Sequence, residues 1–238
     1  MSFERALEEV RKGNPILVYD FDDRERETDY TVASQFITPG HLLRMRKDAG
    51  GLVCTTMPGR LAAELGLPFL SDVFWDDIEK YPVLKAMAPT DIPYDRTKSS
   101  FGITINHRET YTGITDRDRA LTITKFADTV FRDAPAADIV ADLGRNFRAP
   151  GHVHLLNTTD DILRTRKGHT ELCTAMMYMA GVKPSATICE MMGDDGNSRP
   201  RAEVEAYAEE HGIPMVTGTE VIDRWEAWLA ENGKERSR

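Results

Sequence analysis

The sequence predicts an α+β protein, a single-domain sandwich of one mixed β-sheet covered by helices, although strands and helices alternate along the chain as in α/β proteins. Two observations support this prediction. Short apolar segments typical of strands alternate with longer segments whose apolar residues recur at helical spacing. No stretch rich in Ser or Gly divides the 238 residues, so we expect one domain over residues 1–238.

The elements follow from apolar patterns and from turn and cap signals. Strands are predicted near residues 15–20, 51–57, 101–106, 153–157, 185–192 and 213–217. The first helix begins near Phe3, and the second opens at Thr38 and Pro39 and ends before Gly50, with proline in its first turn and glycine past its end. Further helices are predicted at 58–66, 116–130, 169–180, 200–211 and 219–231.

Residues 68–99 interrupt this alternation. The segment contains four prolines and scattered aromatic and acidic residues, without a clear period. Because proline limits both helices and central strands, we interpret the segment as a long excursion rather than as a domain boundary.

The composition favours a folded, cytoplasmic protein. Hydrophobic residues make up 41% and charged residues 29% of the chain, which are values typical of globular proteins. A formal net charge of −9 argues against a nucleic-acid partner, which needs a basic surface. No apolar run approaches the roughly 18 residues of a membrane span, and the first residues do not resemble a targeting peptide. The three cysteines lack the Cys-x-x-Cys spacing typical of zinc sites.

The run at residues 22–29 carries five carboxylates and two guanidinium groups directly after an apolar strand. Such charge density is typical of a site for a cation or an anionic substrate. It is equally typical of a solvated acidic loop. The run by itself leaves both interpretations open.

A second charged cluster, residues 164–171, precedes the helix predicted at 169–180. The free N–H groups of a helix start favour anions, and Arg166 and Thr170 add a guanidinium fork and a hydroxyl. We therefore predict a phosphate site here. The alternative is an ordinary capped helix with surface arginines.

Three further residues could carry chemistry. His152 follows a Pro-Gly pair, and Glu190 ends an apolar strand, where acids commonly face clefts. Each has a structural alternative, namely a satisfied histidine and a solvent-facing acid. Cys54 is more typical of a small buried residue than of a nucleophile.

Six motifs occur in one order along most of the chain. They are Asp23-Arg24-Glu25-x-Glu27-x-Asp29, Gly51-Leu52-Val53-Cys54, Thr112-Gly113-Ile114-Thr115-x-x-Asp118-Arg119, Pro150-Gly151-His152-Val153, Gly168-His169-Thr170-Glu171 and Ile188-Cys189-Glu190. Each motif alone is weak, but together they resemble 3,4-dihydroxy-2-butanone 4-phosphate synthase.

The resemblance implies metal ligands at Glu25 and His169 and two groups essential for catalysis at His152 and Glu190. We expect Glu27, Asp29 and Cys54 to assist in proton transfer. Substrate contacts are implied at Arg24, Glu25, Asp29, Thr112, Arg166, Lys167, Gly168, His169, Thr170 and Glu190. Lys167 departs from the family pattern, which commonly has glycine there.

The resemblance also implies an activity and its partners. The family converts D-ribulose 5-phosphate to L-3,4-dihydroxy-2-butanone 4-phosphate and formate in riboflavin biosynthesis, by metal-assisted enolisation, dehydration and skeletal rearrangement. It implies Mg²⁺ or Mn²⁺, with two ions in the substrate complex, and no organic cofactor. It further implies a homodimer with sites at the interface. Segment 72–98 is longer than in many bacterial members and receives no role.

One other enzyme class and one non-enzymatic class are alternatives to this resemblance. Asp20-Phe21-Asp22 after a strand resembles the Asp-x-Asp motif of haloacid-dehalogenase-type phosphatases. However, Arg24 stands where that family has Thr or Val, and the rival gives His169 and Glu190 no role. A sensor that binds metal or phosphate without turnover is the other alternative.

Overall fold

One mixed seven-stranded sheet positions every candidate residue described below. The structure, a computed structural model, describes residues 3–87, 92–95 and 97–232. In chain order the strands are β1 (Ile16–Tyr19), β2 (Thr28–Ala33), β3 (Cys54–Met57), β4 (Phe101–His107), β5 (Phe147–Asn157), β6 (Ala186–Glu190) and β7 (Met215–Thr217). Across the sheet their order is β4-β5-β3-β6-β2-β1-β7. β5 is parallel to β3 and β7 to β1, whereas the other neighbours are antiparallel. The predicted fold class is confirmed.

Helices cover both faces of the sheet. In the described residues they are α1 (Phe3–Lys12), α2 (Pro39–Arg44), α3 (Gly59–Glu64), α4 (Leu70–Asp76), α5 (Pro82–Met87), α6 (Asp116–Val130), α7 (Ala136–Asn146), α8 (His169–Ala180), α9 (Arg201–His211) and α10 (Gly218–Asn232). Residues of α1, α8 and α10 form the core on one face, and residues of α2, α6, α7 and α9 on the other. Among these helices none is long and apolar enough to cross a membrane.

Helix α8 is the central helix of its face. Nearly all of its residues are buried, as expected for a helix that is apolar on every side. It begins at His169 after Gly168 and ends at Ala180, and the following Gly181 has a φ of 72° that glycine adopts without strain. Because α1 and α10 both pack on α8, its first turn is held in a fixed position above the sheet.

Several elements differ from the sequence prediction. The central strand β2 was not predicted, because its sequence Thr-Asp-Tyr-Thr-Val-Ala is not an apolar run, yet all six residues are buried. Helix α7 was also missed, and β5 begins six residues earlier than predicted. The segment 68–99 contains the short helices α4 and α5 in its described part, with no buried residue in either.

Candidate active site

The carboxylate of Asp20 shapes the acidic loop between β1 and β2. The sequence suggests a role for this residue only in the phosphatase alternative. Asp20 is buried, and its two oxygens accept the backbone N–H groups of Glu25 at 2.9 Å and Glu27 at 3.0 Å. Its own N–H donates to the carbonyl of Glu27 at 3.1 Å. Because these bonds close the loop on itself, the run at residues 22–29 is an ordered turn. The position of Asp20 at the end of β1 was the available signal.

This closed loop also weakens the phosphatase alternative. An aspartyl-phosphate enzyme needs a free carboxylate oxygen at the first Asp of the motif. Both oxygens of Asp20 already accept loop N–H groups. Asp22 accepts the hydroxyl of Tyr19 at 2.6 Å. Asp20, the first Asp of the motif, is therefore not presented as a nucleophile.

Glu25 and His169 form the central pair of the site. His169 Nδ1 lies 2.9 Å from Glu25 Oε2, and His169 Nε2 lies 3.2 Å from the carbonyl oxygen of Glu27. Burial alone would raise the pKa of Glu25, but the hydrogen bond and charge of His169 outweigh it and lower this pKa to about 2. Burial alone would lower the pKa of His169, but Asp29 and Glu25 raise it to about 10. Without a cation these shifts favour an imidazolium bonded to a carboxylate, and a metal ion that binds His169 would have to displace a ring proton.

Asp29 adds a buried carboxylate next to this pair. Its Oδ1 lies 4.0 Å from His169 Nε2 and has no hydrogen-bond partner among the described residues. Burial raises the pKa of Asp29 well above its ordinary value. A buried oxygen without a partner is costly, and such atoms are typical of places where a ligand completes the site.

The donor set fits a hard divalent cation. One ligand atom each from Asp20, Glu25 and His169 lie within 4.8 Å of one another, and carboxylates with an imidazole suit Mg²⁺ or Mn²⁺. Asp20 bonds both of its oxygens to loop N–H groups, whereas Glu25 and His169 bond to each other. A cation held by Glu25 and His169 would therefore replace the proton between them. The unpartnered Oδ1 of Asp29, 4.0 Å from His169 Nε2, is a further oxygen that a cation at this site can contact.

Glu27 lies on the same loop but turns toward another segment. Its Oε1 accepts the hydroxyl of Ser198 at 2.5 Å. Burial raises the pKa of its carboxyl group, so Glu27 is held in a form that can exchange a proton nearer to neutral pH. Arg24 does not orient Glu27. Its guanidinium contacts Glu25 at 2.8 Å and Asp95 at 3.1 Å instead.

Glu190 lies beside Asp29, because β6 and β2 are antiparallel and pair these two residues directly. Its Oε2 accepts the N–H of Leu52 at 2.8 Å. A Cβ at Gly51 would collide with this carboxylate, which explains the need for glycine there. Cys54 is buried on the same face of the sheet, and burial, followed by the charges of Glu190 and Asp29, raises the pKa of its thiol well above 9.0.

His152 occupies a different environment. It is exposed, its N–H donates to Asn106 Oδ1 at 2.8 Å, and its Nδ1 lies 3.1 Å from Asn106 Nδ2. Asn106 Nδ2 also donates to the carbonyl of Thr112 at 3.3 Å. Cys54 of β3 pairs with His154 of β5 on one side and with Ile188 of β6 on the other. When both pairings are extended by two residues, β3 lies between His152 and Glu190. These two residues are therefore two strand spacings apart, or roughly 10 Å.

The loop before α8 holds the residues predicted to bind phosphate. Arg166 Nη1 bonds to the buried Glu171 at 2.6 Å, and its Nε lies 3.0 Å from Asp95. Gly168 allows this fold of the loop, because a Cβ there would collide with the Arg166 guanidinium. Thr170 is buried in the first turn of α8 and Lys167 is exposed. The guanidinium of Arg166 is thus occupied by carboxylates in this structure.

Comparison with known proteins identifies the family. Residues 4–224 match the model of 3,4-dihydroxy-2-butanone 4-phosphate synthase. The chain is 45% identical to the 3,4-dihydroxy-2-butanone 4-phosphate synthase of Methanothermobacter thermautotrophicus over 93% of this chain and 95% of that one. It is 42% identical to that of Archaeoglobus fulgidus, with 94% of each chain covered.

The fold is shared with a solved structure. A solved structure of 3,4-dihydroxy-2-butanone 4-phosphate synthase in complex with two magnesium ions superposes with a TM-score of 0.73 at 22% identity, covering 95% of this chain and 97% of that one. The sheet and its helical layers are therefore shared with that structure. The chain belongs to the 3,4-dihydroxy-2-butanone 4-phosphate synthase family.

Proposed function

We propose that this chain converts D-ribulose 5-phosphate to L-3,4-dihydroxy-2-butanone 4-phosphate and formate, a step of riboflavin biosynthesis. The observation that carries the proposal is the pair formed by the half-buried Glu25 and the buried His169, beside the unpartnered Oδ1 of Asp29, in a member of this family. Acidic and imidazole groups that converge at a helix start suit proton removal next to a polarised carbonyl.

We propose that Glu25 and His169 hold Mg²⁺ or Mn²⁺, with a second ion present in the substrate complex. The ion would polarise the C2 carbonyl of the sugar and so make its neighbouring C–H bonds more acidic. The solved relative that contains two magnesium ions supports this assignment. No organic cofactor is required, because proton transfers at carbon and oxygen are within the range of side-chain acids and bases.

Proton transfer is assigned to carboxylates of different environments. Glu190 is half-buried and bonded to one N–H, so it can accept a proton from the substrate. Burial raises the pKa of the carboxyl groups of Asp29 and Glu27, so they can donate protons. The Cys54 thiol has a high pKa and serves only as a proton donor. Such a spread of pKa values suits a reaction with several proton transfers.

The phosphate of the substrate is assigned to the start of α8. Thr170 lies in this first turn, and Arg166, Lys167 and Gly168 lie in the loop that precedes it. This arrangement attracts dianions by hydrogen bonding and by the helix dipole. It also holds an anionic substrate on a protein whose net charge is −9.

We propose a homodimer in which His152 and Thr112 serve the site of the other subunit. His152 is exposed and lies about two strand spacings from Glu190 within one chain. An exposed imidazole held by Asn106 is oriented for a group outside its own chain. The exposed side chains of Tyr111 and Ile114 beside it provide apolar surface for such an interface.

One incubation distinguishes the candidate functions. The purified chain is mixed with ribulose 5-phosphate and Mg²⁺, and formate and inorganic phosphate are assayed in parallel. A synthase releases formate, a phosphatase releases inorganic phosphate, and a binding protein releases neither. Excess EDTA should stop formate release and added Mg²⁺ should restore it. Formate release that continues unchanged in EDTA would remove the metal from the proposal.

A further inference from the structure

The carboxylate of Asp95 lies between the two arginines of the candidate site. Its Oδ2 is 3.1 Å from Arg24 Nη2 and 3.0 Å from Arg166 Nε. Its Oδ1 accepts the N–H and the hydroxyl of Thr97 at 2.9 and 2.7 Å. The side chain is only 8% exposed. Asp95 belongs to the segment 68–99, to which the sequence assigned no role.

Asp95 differs from the other carboxylates that contact these arginines. Glu25 is anchored by His169, and Glu171 is fully buried in α8, where it also accepts the N–H of Thr159 at 3.1 Å. The anchors of Asp95 lie instead within its own segment, at Thr97. Asp95 can therefore leave the arginines without breaking a contact inside the sheet or α8.

Tyr94 accompanies Asp95 over the same loop. Its ring lies 5.2 Å from Arg24 Cζ, a cation–π distance, and its hydroxyl interacts with the carboxylate of Glu25. Two consecutive residues of the segment thus contact the acidic loop, one by its ring and one by its charge. The return of the segment to the site is a property of the tertiary fold that no local sequence pattern indicated.

We propose that Asp95 is an internal substitute for the substrate's phosphate. It pairs with Arg24 and Arg166 in the substrate-free protein and is displaced from them by the incoming phosphate. Carboxylate and phosphate both match the planar fork of a guanidinium, and a phosphate dianion offers more charge and more oxygens than the single Oδ2. A sugar without phosphate cannot displace Asp95, so the contact favours phosphorylated substrates.

This inference rests on the proposed phosphate site, but its test does not require turnover. Inorganic phosphate is titrated by calorimetry into the metal-free chain and into Asp95→Asn, which retains an oxygen for Thr97 but loses the charge. Removing the internal competitor should lower the dissociation constant for phosphate by about tenfold, because an occupied site reduces apparent affinity in proportion to its occupancy. The KM for ribulose 5-phosphate should fall in parallel.

Two further variants separate charge from structure. Asp72→Asn removes one carboxylate from the same segment, where Asp72 pairs with Lys98 at 2.7 Å on the surface, and it should leave phosphate affinity unchanged. Asp95→Glu keeps the charge and should remain within about twofold of the parent, since the competitor is still present. Melting curves of all three variants report whether the fold is intact.

The outcomes distinguish this inference from the proposed reaction. Weaker phosphate binding by Asp95→Asn would mean that Asp95 positions the arginines for the ligand, and unchanged binding would mean that these arginines do not bind phosphate; either result overturns the proposal. Tighter phosphate binding without formate release by the parent would uphold Asp95 as the substitute and reject the synthase reaction. Formate release by the parent, together with unchanged phosphate affinity in Asp95→Asn, would uphold the synthase reaction and reject Asp95 as the substitute.

Discussion

The proposed site has two ends, and their environments differ sharply. At one end Glu25 of the acidic loop and Asp29 of β2 lie against the buried His169, and the Glu25–His169 pair is bonded on both sides. At the other end His152 is exposed and is held only through Asn106. The buried end already brings Glu25 and His169 together, so a cation that replaces the proton between them needs little rearrangement of the loop. The exposed end requires another surface before it can exclude water from a reaction.

The largest effect is expected at the buried end. Glu25→Gln removes the ligand charge and the partner of His169, so Mg²⁺ binding should be lost and formate release should fall at least about 1000-fold, since a metal that polarises a carbonyl contributes several kcal/mol. Calorimetry with Mg²⁺ and the formate assay measure the two effects. Glu79→Gln, which alters an exposed pair with Lys85, is the matched control. A variant that still binds Mg²⁺ with parental affinity would exclude Glu25 as a ligand.

The next effect concerns Glu190, which lies between the two ends. In Glu190→Gln the amide oxygen can still accept the N–H of Leu52, so the local structure and substrate binding should be retained. The lost base should reduce kcat by about 100–1000-fold with little change in KM. Steady-state kinetics with ribulose 5-phosphate measure both constants. A parental kcat would make Glu190 a structural residue that supports the turn at Gly51.

The exposed end is tested by mixing two inactive variants. His152→Ala and Glu190→Gln are each purified, then denatured together and refolded. If each site takes Glu190 from one chain and His152 from the other, half of the sites in mixed dimers are intact, and about one quarter of parental activity should return for a two-fold symmetric dimer. No recovery, with mixed dimers demonstrated by differential tagging, would place both residues in the same chain's site.

Arg166 should show a smaller effect, confined to binding. Arg166→Lys keeps a positive charge opposite Glu171 but loses the planar fork, so KM for ribulose 5-phosphate should rise by about tenfold while kcat changes little. Lys80→Arg, on the exposed part of segment 68–99, is the reciprocal control and should change neither constant. An unaltered KM in Arg166→Lys would remove the guanidinium from phosphate binding.

The sequence predicts the buried end better than the exposed one, and the reason is physical. His169 begins α8 and Glu190 ends β6, where charge next to an apolar segment is visible in the sequence. Glu25 lies in the charged run between β1 and β2. Strand β2 was missed because Thr28, Asp29 and Thr31 are polar and buried, and their burial depends on neighbours that are distant in the chain. The pairing of Asp29 with Glu190 therefore could not be predicted.

The roles of Asp20 and Asp95 illustrate two different limits of prediction from the sequence. Asp20 stands at the end of a predicted strand, and only its bonds to loop N–H groups distinguish a loop-forming carboxylate from a ligand. Asp95 lies in a segment without any period, so no local rule connects it to Arg24 or Arg166. Contacts of this kind depend on where the chain returns after a long excursion, and short-range patterns do not encode that.

The smallest effect is expected at the thiols, which lie within the buried layers of the protein. Cys54, Cys173 and Cys189 are all buried, and burial raises the pKa of each thiol above 9.0, that of Cys189 to about 12. The unfolded chain therefore loses thiol protons at a lower pH than the folded one, so the free energy of unfolding of the reduced protein should fall as pH rises above 9.0.

Native thiols should react slowly with a disulfide reagent at pH 8 and all three should react after denaturation. Comparison with Cys54→Ser isolates the contribution of Cys54. If the native protein is labelled quickly and Cys54→Ser is not, Cys54 is accessible and ionisable rather than buried.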